Sequence, residues 1–136
     1  MLRPTVKIDY GRLEALVRGK SIVVTGGGGS IGAELSRQIA RVDPRLLVLL
    51  DQAEDNLFQI DREMVEERHF ASCESVLADC KEGDRMLEVM QRFKPEVVFH
   101  AAAYKHVPLM EKDNALQALA NNALSTIVTA RAAQAA

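Results

Sequence analysis

The run Thr25-Gly26-Gly27-Gly28-Gly29-Ser30-Ile31-Gly32 holds the residue types and spacing that could do chemistry. Glycines at 26, 29 and 32 let a backbone turn approach a pyrophosphate closely, because no Cβ keeps the ligand away. The helix that opens at Ser30 and Ile31, read as Ile31 to Ala40, would aim its free N–H groups and positive dipole end at the phosphates. Asp51 follows 19 residues after Gly32, where an acid can accept hydrogen bonds from both hydroxyls of an adenosine ribose. Such a carboxylate, with Gln52 beside it, favours NAD and repels the additional phosphate of NADP. No arginine follows at once to offset that repulsion, since Arg62 is a helix away. A plainer role for Asp51, as N-cap of the next helix, is compatible with this one. A nucleoside triphosphate loop is excluded. It would end in Gly-Lys-Ser/Thr, whereas Gly32 is followed by Ala33 and Glu34.

Two further chain segments end where a ligand would lie. Asp79 and Cys80 close the third strand and would stand beside the adenine, Asp79 bonding its exocyclic amine or, alternatively, capping the next helix. His100-Ala101-Ala102-Ala103 closes the fourth strand, and its small residues allow the cofactor's central ribose and phosphates to pass. His100 itself reads as a packed structural residue. With His69 and His106 it has no metal-ligand spacing, and no metal is expected. Lys105 and His106 lie in the following loop, where a lysine could meet substrate hydroxyls or phosphate, or simply be solvated.

These residues need a scaffold, and the hydrophobic pattern supplies one. Strands are expected at Ser21 to Thr25, Leu46 to Leu50, Glu74 to Ala78 and Val97 to His100. The apolar run Leu46 to Leu50 fits a strand buried on both faces. Helices are expected between them: Ile31 to Ala40 with Ile31, Leu35 and Ile39 inward; Ala53 to Glu67 with Leu57, Ile60 and Met64 inward; and one from a cap at Asp84 to Lys94-Pro95. A last helix from about Asn114 would bury Leu116, Leu119, Ala123, Ile127 and Val128. Strand and helix in alternation imply an α/β fold, a Rossmann-type parallel sheet with right-handed crossovers and strand order 3-2-1-4. Residues 1–20 form a lead-in arm with a short helix, Tyr10 to Arg18, carrying Leu13, Leu16 and Val17 on one face and ended by Gly19. Residues 21–136 form the NAD-binding domain, expected to be truncated after the fourth strand and its helix.

Composition agrees with that class. The chain has 136 residues, 48% hydrophobic and 26% charged, with a net charge of −2. Nothing in that charge points to nucleic acid or to an anionic membrane surface. Cys73 and Cys80 match no zinc or CxxC pattern and read as thiols of a cytoplasmic protein. The N-terminus has no signal-peptide pattern, and no stretch has the length of a membrane helix.

The block His100 to Glu111, HAAAYKHVPLME, resembles the signature of the polysaccharide-biosynthesis nucleotide-sugar dehydratases. These are the CapD/WbpM-like members of the extended short-chain dehydrogenase/reductase superfamily. TGGGGSIGAEL, LLDQAEDNL and LADCKEGDRM are similar to its other blocks at the expected spacing, so the likeness runs over residues 3–136. It implies removal of water across C5 and C6 of a UDP-N-acetylhexosamine of the UDP-N-acetylglucosamine type, giving a 4-keto-6-deoxy sugar. NAD would take a hydride from C4 and return it to C6. It implies that Asn122 orders the active site, and that Lys105 and His106 face the UDP-sugar. The acid–base groups, an Asp-Lys pair and a Tyr- or Met-x-x-x-Lys segment, would lie beyond Ala136, leaving no catalytic residue within the chain. RPTVKID, Arg3 to Asp9, is similar to the linker that follows a membrane-anchored region in the large members, so a membrane-anchored parent is expected. A homo-oligomer is expected because the outer edge of the fourth strand, Val97 to His100, would lack a neighbour and offer itself to another copy. The sequence departs from the family at Gly27, where alanine is common, at Ala33, where serine is, and at Ser125, where glycine is.

Two other functions remain compatible with the residues. One is a sugar-nucleotide epimerase of the same superfamily. The other is a non-catalytic module that senses NAD.

Overall fold

The computed structural model describes residues 10–102 and 126–135. The expectations at Ala103, Lys105, His106, Asn114, Leu116, Leu119, Asn122 and Ala123 lie outside the described residues. The elements are α1 (Tyr10–Val17), β1 (Ser21–Thr25), α2 (Ser30–Ala40), β2 (Leu46–Asp51), α3 (Glu54–Arg62), β3 (Cys73–Leu77), α4 (Gly83–Phe93) and β4 (Val97–His100). Residues 126–135 form a further helix, α5. None of the described helices is long and apolar enough to cross a membrane.

The four strands make one parallel sheet in the order β3-β2-β1-β4. Both sheet faces are covered, which explains the unbroken apolar strands. Ile22, Val24, Leu47 and Leu49 point into a core closed by Ile39 of α2 and by Leu57 and Ile60 of α3. Val23, Val48, Leu50 and Val76 point the other way, against Met86, Val89 and Met90 of α4 and Ala132 of α5. The first two crossovers therefore lie on one face, and α4 lies on the other. That change of face comes with the jump from β3 at one edge to β4 beside β1. It leaves a crevice at the carboxyl ends of β1 and β4, where ligands bind in open α/β sheets.

The lead-in helix is part of the first core, because Val17 is fully buried there beside Ile22. Leu16, expected inward, is 43% exposed. Gly19 has φ +68° and stops the helix as expected. In α2 the buried face is Gly32, Ala33, Ser36 and Ile39, while Ile31, expected inward, is 56% exposed. The helix approaches β1 at its small residues, so of the i, i+4 apolar series Leu35 and Ile39 pack on the core and Ile31 does not. Ile127, also expected inward, is 47% exposed, whereas Val128 packs on the core as expected and Thr129 and Ala132 are buried.

Asp84 does not cap α4. The helix starts at Gly83, preceded by Glu82 with no side-chain cap bond, and Asp84 sits in the first turn, where its charge complements the dipole. The expected Ala53–Glu67 helix is α-helical only to Arg62, then widens into a π-turn, Glu63–Glu67. Arg68 N–H closes onto Glu63 O at 3.0 Å, and Phe70 N–H onto Met64 O at 2.8 Å. Met64 stays fully buried through the widening. Glu63 also accepts Arg37 Nε–H at 2.7 Å and Arg68 Nε–H at 2.9 Å, tying α2 to the π-turn.

The Arg37 hydrogen bond, helped by Arg68, holds the Glu63 carboxyl below the ordinary carboxylate range. A depressed carboxyl contributes stability above its unfolded value and loses it as pH falls through the folded value. Glu63→Gln should therefore cost about 1 kcal/mol at neutral pH, and the gap should close below the carboxylate range. Urea denaturation of both proteins across that range checks this, and a gap that stays constant with pH would contradict it.

Candidate functional site

The expected site residues that the structure describes gather at the carboxyl end of the sheet. Thr25 ends β1, Asp51 ends β2, Asp79 and Cys80 follow β3, and His100 ends β4 before Ala101 and Ala102. Register places Thr25 beside Leu50 on one side and His100 on the other.

Each glycine of the turn after β1 meets a different surrounding. Gly26 has φ +66°, and a Cβ on it would lie 2.7 Å from Ala101 O. The turn can bend there, and lie against the loop after β4, only without a side chain. A Cβ on Gly32 would come within 1.9 Å of Gly26 O, so this position lets α2 dock onto the turn. A Cβ on Gly28 would strike Asn56 C at 2.8 Å and Leu57 N at 2.9 Å, at the start of α3. Gly29 is different. Its φ of −72° suits any residue, and the nearest atom to an added Cβ is Gly26 O at 3.4 Å. The protein itself does not require glycine at 29. An external group approaching the start of α2 would.

That approach is electrostatically prepared. The first N–H groups of a helix have no partner within it and carry the positive end of its dipole. Ser30 and Ile31, exposed at the head of α2, stand at that opening. Ala33 N–H is the first to bond back, to Gly29 O at 2.8 Å.

Asp51 stands across the turn. Its Oδ2 accepts Gly28 N–H at 2.9 Å and its Oδ1 accepts Ala53 N–H at 2.9 Å. Ala53, not Asp51, occupies the cap position of α3, with no side-chain cap bond. Gln52 is exposed beside it. Asp79 bends the chain after β3, accepting Lys81 N–H at 2.9 Å, and its other oxygen lies 3.6 Å from Lys81 Nζ. It is a turn-forming acid and does not cap α4.

His100 takes part in a link between β1 and β4. Its Nδ1 lies 2.6 Å from Thr25 Oγ1, which also accepts Ala101 N–H at 3.1 Å. Burial lowers the His100 pKa and favours the neutral ring. With its proton on Nε2, that ring lets Thr25 donate to Nδ1 while accepting from Ala101. Burial pushes the Cys80 thiol up, opposed by the Thr129 and Thr25 hydroxyls. Burial likewise pushes Cys73 up to about 12. Neither cysteine is poised as a nucleophile. Among the described residues no group of histidines, cysteines and acids is placed to hold a metal.

Gly28 is the residue that motif reading passes over, since it occupies a variable position of the pattern. Its only signal in the sequence is the run of four glycines, longer than the motif needs.

The chain matches the family of polysaccharide biosynthesis proteins over residues 22–136. It is 41% identical over 133 residues to the capsular polysaccharide biosynthesis protein CapD of Staphylococcus aureus, covering 97% of this chain and 22% of that protein. It is 38% identical over 133 residues to the probable polysaccharide biosynthesis protein EpsC of Bacillus subtilis, covering 96% of this chain and 22% of that protein. The chain thus spans about a fifth of the length of these curated relatives. A solved UDP-glucose-4-epimerase of Stenotrophomonas maltophila, with NAD and formylated UDP-arabinopyranose bound, has a TM-score of 0.71 and 26% identity, over 85% of this chain and 33% of that one.

The different surroundings of Gly29 and Gly32 can be tested on stability alone. Gly32→Ala should destabilise the chain by about 1–3 kcal/mol through overpacking. Gly29→Ala should stay within about 0.5 kcal/mol of wild type. Thermal and urea unfolding of the two variants should separate them, and equal losses would refute the distinction.

Proposed function

The chain belongs to the family of polysaccharide biosynthesis proteins, and from that premise we propose that it holds NAD for a UDP-N-acetylhexosamine 4,6-dehydratase of surface-polysaccharide synthesis. The observation that carries the reading is Gly29. It is a glycine that packing does not demand, at the head of a helix, across a turn from an acid at the end of β2. A pyrophosphate on the N-terminus of α2 supplies the missing reason for it.

In this reading the phosphates lie against Gly26, Gly29, Ser30, Ile31 and Gly32. Asp51 and Gln52 meet the adenosine ribose, and Asp79 and Cys80 the adenine. Ala101, Ala102 and Ala103 give passage to the nicotinamide half, and Thr25 fixes the end of β4 that carries them. Lys105 and His106 would face the UDP-sugar, and Asn122 would order the reacting end. The bound nicotinamide supplies reversible hydride transfer. The described residues bind, orient and exclude bulk, and none of them is assigned a proton-transfer role. Residues 21–136 are the cofactor domain and residues 1–20 its lead-in. The choice of dehydratase over epimerase rests on the resemblance of His100 to Glu111, HAAAYKHVPLME, to the dehydratase signature. The likeness to a UDP-glucose-4-epimerase structure keeps a sugar-nucleotide epimerase as the second reading.

Asp51 gives the cofactor choice its sign. Calorimetric titration should show NAD binding more tightly than NADP, because the carboxylate would face the additional phosphate. Equal or tighter NADP binding would overturn that choice.

The catalytic assignment has its own test. The 136-residue chain, incubated with NAD and UDP-N-acetylglucosamine, should form no 4-keto sugar. The family resemblance puts the acid–base groups beyond Ala136. Turnover by the purified chain would show the chemistry to lie within it.

A further inference from the structure

We infer that Asp51 is a positioning residue for the phosphate turn, holding the turn and the start of α3 together through its two carboxylate oxygens. The inference rests on the cofactor reading above and goes beyond the ribose contact expected of an acid at that place. Oδ2 accepts the N–H of Gly28, in the turn after β1, and Oδ1 accepts the N–H of Ala53, before α3, each at 2.9 Å. Gly27 N–H adds a bond to Leu50 O at 3.0 Å. The turn is therefore fastened to the end of β2 by two consecutive N–H groups, one held by backbone and one by the Asp51 side chain.

Steric contact reinforces the fastening. Gly28 sits so close to the first turn of α3 that a Cβ would lie 2.8 Å from Asn56 C. The neighbouring residue, Gly29, is the one with room for a Cβ at the head of α2, Gly26 O lying at an ordinary contact distance of 3.4 Å. Movement of Gly28 would thus move the atoms that line that space. A carboxylate suits the task as an amide does not. Each of its oxygens can take one backbone N–H and still accept a ribose hydroxyl. An asparagine would turn its NH2 toward one of the two N–H donors. The ribose end and the phosphate end of the cofactor site are in this way coupled through one side chain, and a turn held in its bound shape loses less entropy on binding.

The test compares wild type and Asp51→Asn in the full chain against two ligands. One is NAD, and the other is an NAD analogue whose adenosine ribose lacks both hydroxyls. If Asp51 acts through the hydroxyls alone, the substitution weakens NAD and leaves the analogue unchanged. The positioning role expects the analogue to weaken as well, by about tenfold for one lost charge-assisted hydrogen bond. Removing a negative charge beside phosphates would act in the opposite direction, so simple electrostatics cannot produce that loss. Unchanged or tighter analogue binding overturns the inference.

Amide hydrogen exchange of the unliganded proteins gives a second readout. Gly28 N–H should be protected in wild type and lose protection in Asp51→Asn, while the amides of β1 and β2 keep theirs. Free exchange of Gly28 in wild type overturns the positioning role. A wild-type chain that binds no NAD overturns the cofactor reading alone, and the Gly28 exchange then decides the inference.

Discussion

The approach of α2 to the turn after β1 is the constraint on which the rest of this structure depends. A Cβ at Gly32 would overlap Gly26 O at 1.9 Å, so no other residue allows the helix to start there. Its start fixes where the partnerless N–H groups point. It also fixes the buried face of α2, which is Gly32, Ala33, Ser36 and Ile39. The Ser36 hydroxyl, inside that contact, is satisfied by Gly32 O at 2.7 Å, which removes the cost of burying it unpaired.

A second layer of order surrounds that contact. The loop after β4 lies against Gly26, and Thr25 Oγ1 takes Ala101 N–H and meets His100. On the other flank, Asp51 and Gly28 join the turn to α3. The turn is thus braced from β4 on one side and from β2 and α3 on the other. These braces converge at the place where the strand order reverses. Parallel sheets leave a crevice there because the crossovers on either side go to opposite faces. Site and topology are for this reason a single physical fact.

Local signals were strong where backbone chemistry is demanding. Glycine spacing in the turn, apolar runs in β1 and β2, Gly19 ending α1, and the acid at the end of β2 each state a requirement that few residue types meet. Signals were weak where several residue types serve equally well. Asp84 and Asp79 both look like caps, yet α4 begins after Glu82 and Asp79 instead bends the chain toward Lys81. The π-turn at Glu63–Glu67 has no sequence signature of its own. It widens the helix where Met64 stays buried and where Arg68 and, from 26 residues away in the chain, Arg37 meet Glu63.

The amino-acid sequence by itself determined the strand-and-helix alternation, the parallel order 3-2-1-4 and the location of the glycine turn after β1. The alternation and the turn follow from periodicity and from glycine's missing side chain, which are properties of short stretches, and the strand order from the dinucleotide-binding topology that the glycine fingerprint implies. Only the tertiary structure decided which glycines the packing requires and which one it does not. Gly26, Gly28, Gly29 and Gly32 are chemically identical in the sequence. They differ in backbone angle, Gly26 standing at φ +66°, and in what stands within reach of an absent Cβ: Ala101 O at 2.7 Å for the first, Asn56 C at 2.8 Å for the second, Gly26 O at an ordinary 3.4 Å for the third and Gly26 O at 1.9 Å for the last. It also decided that Ile31 and Ile127 face outward. An apolar series fixes a helix face only to within the angle that close packing then selects, and here small residues set that angle.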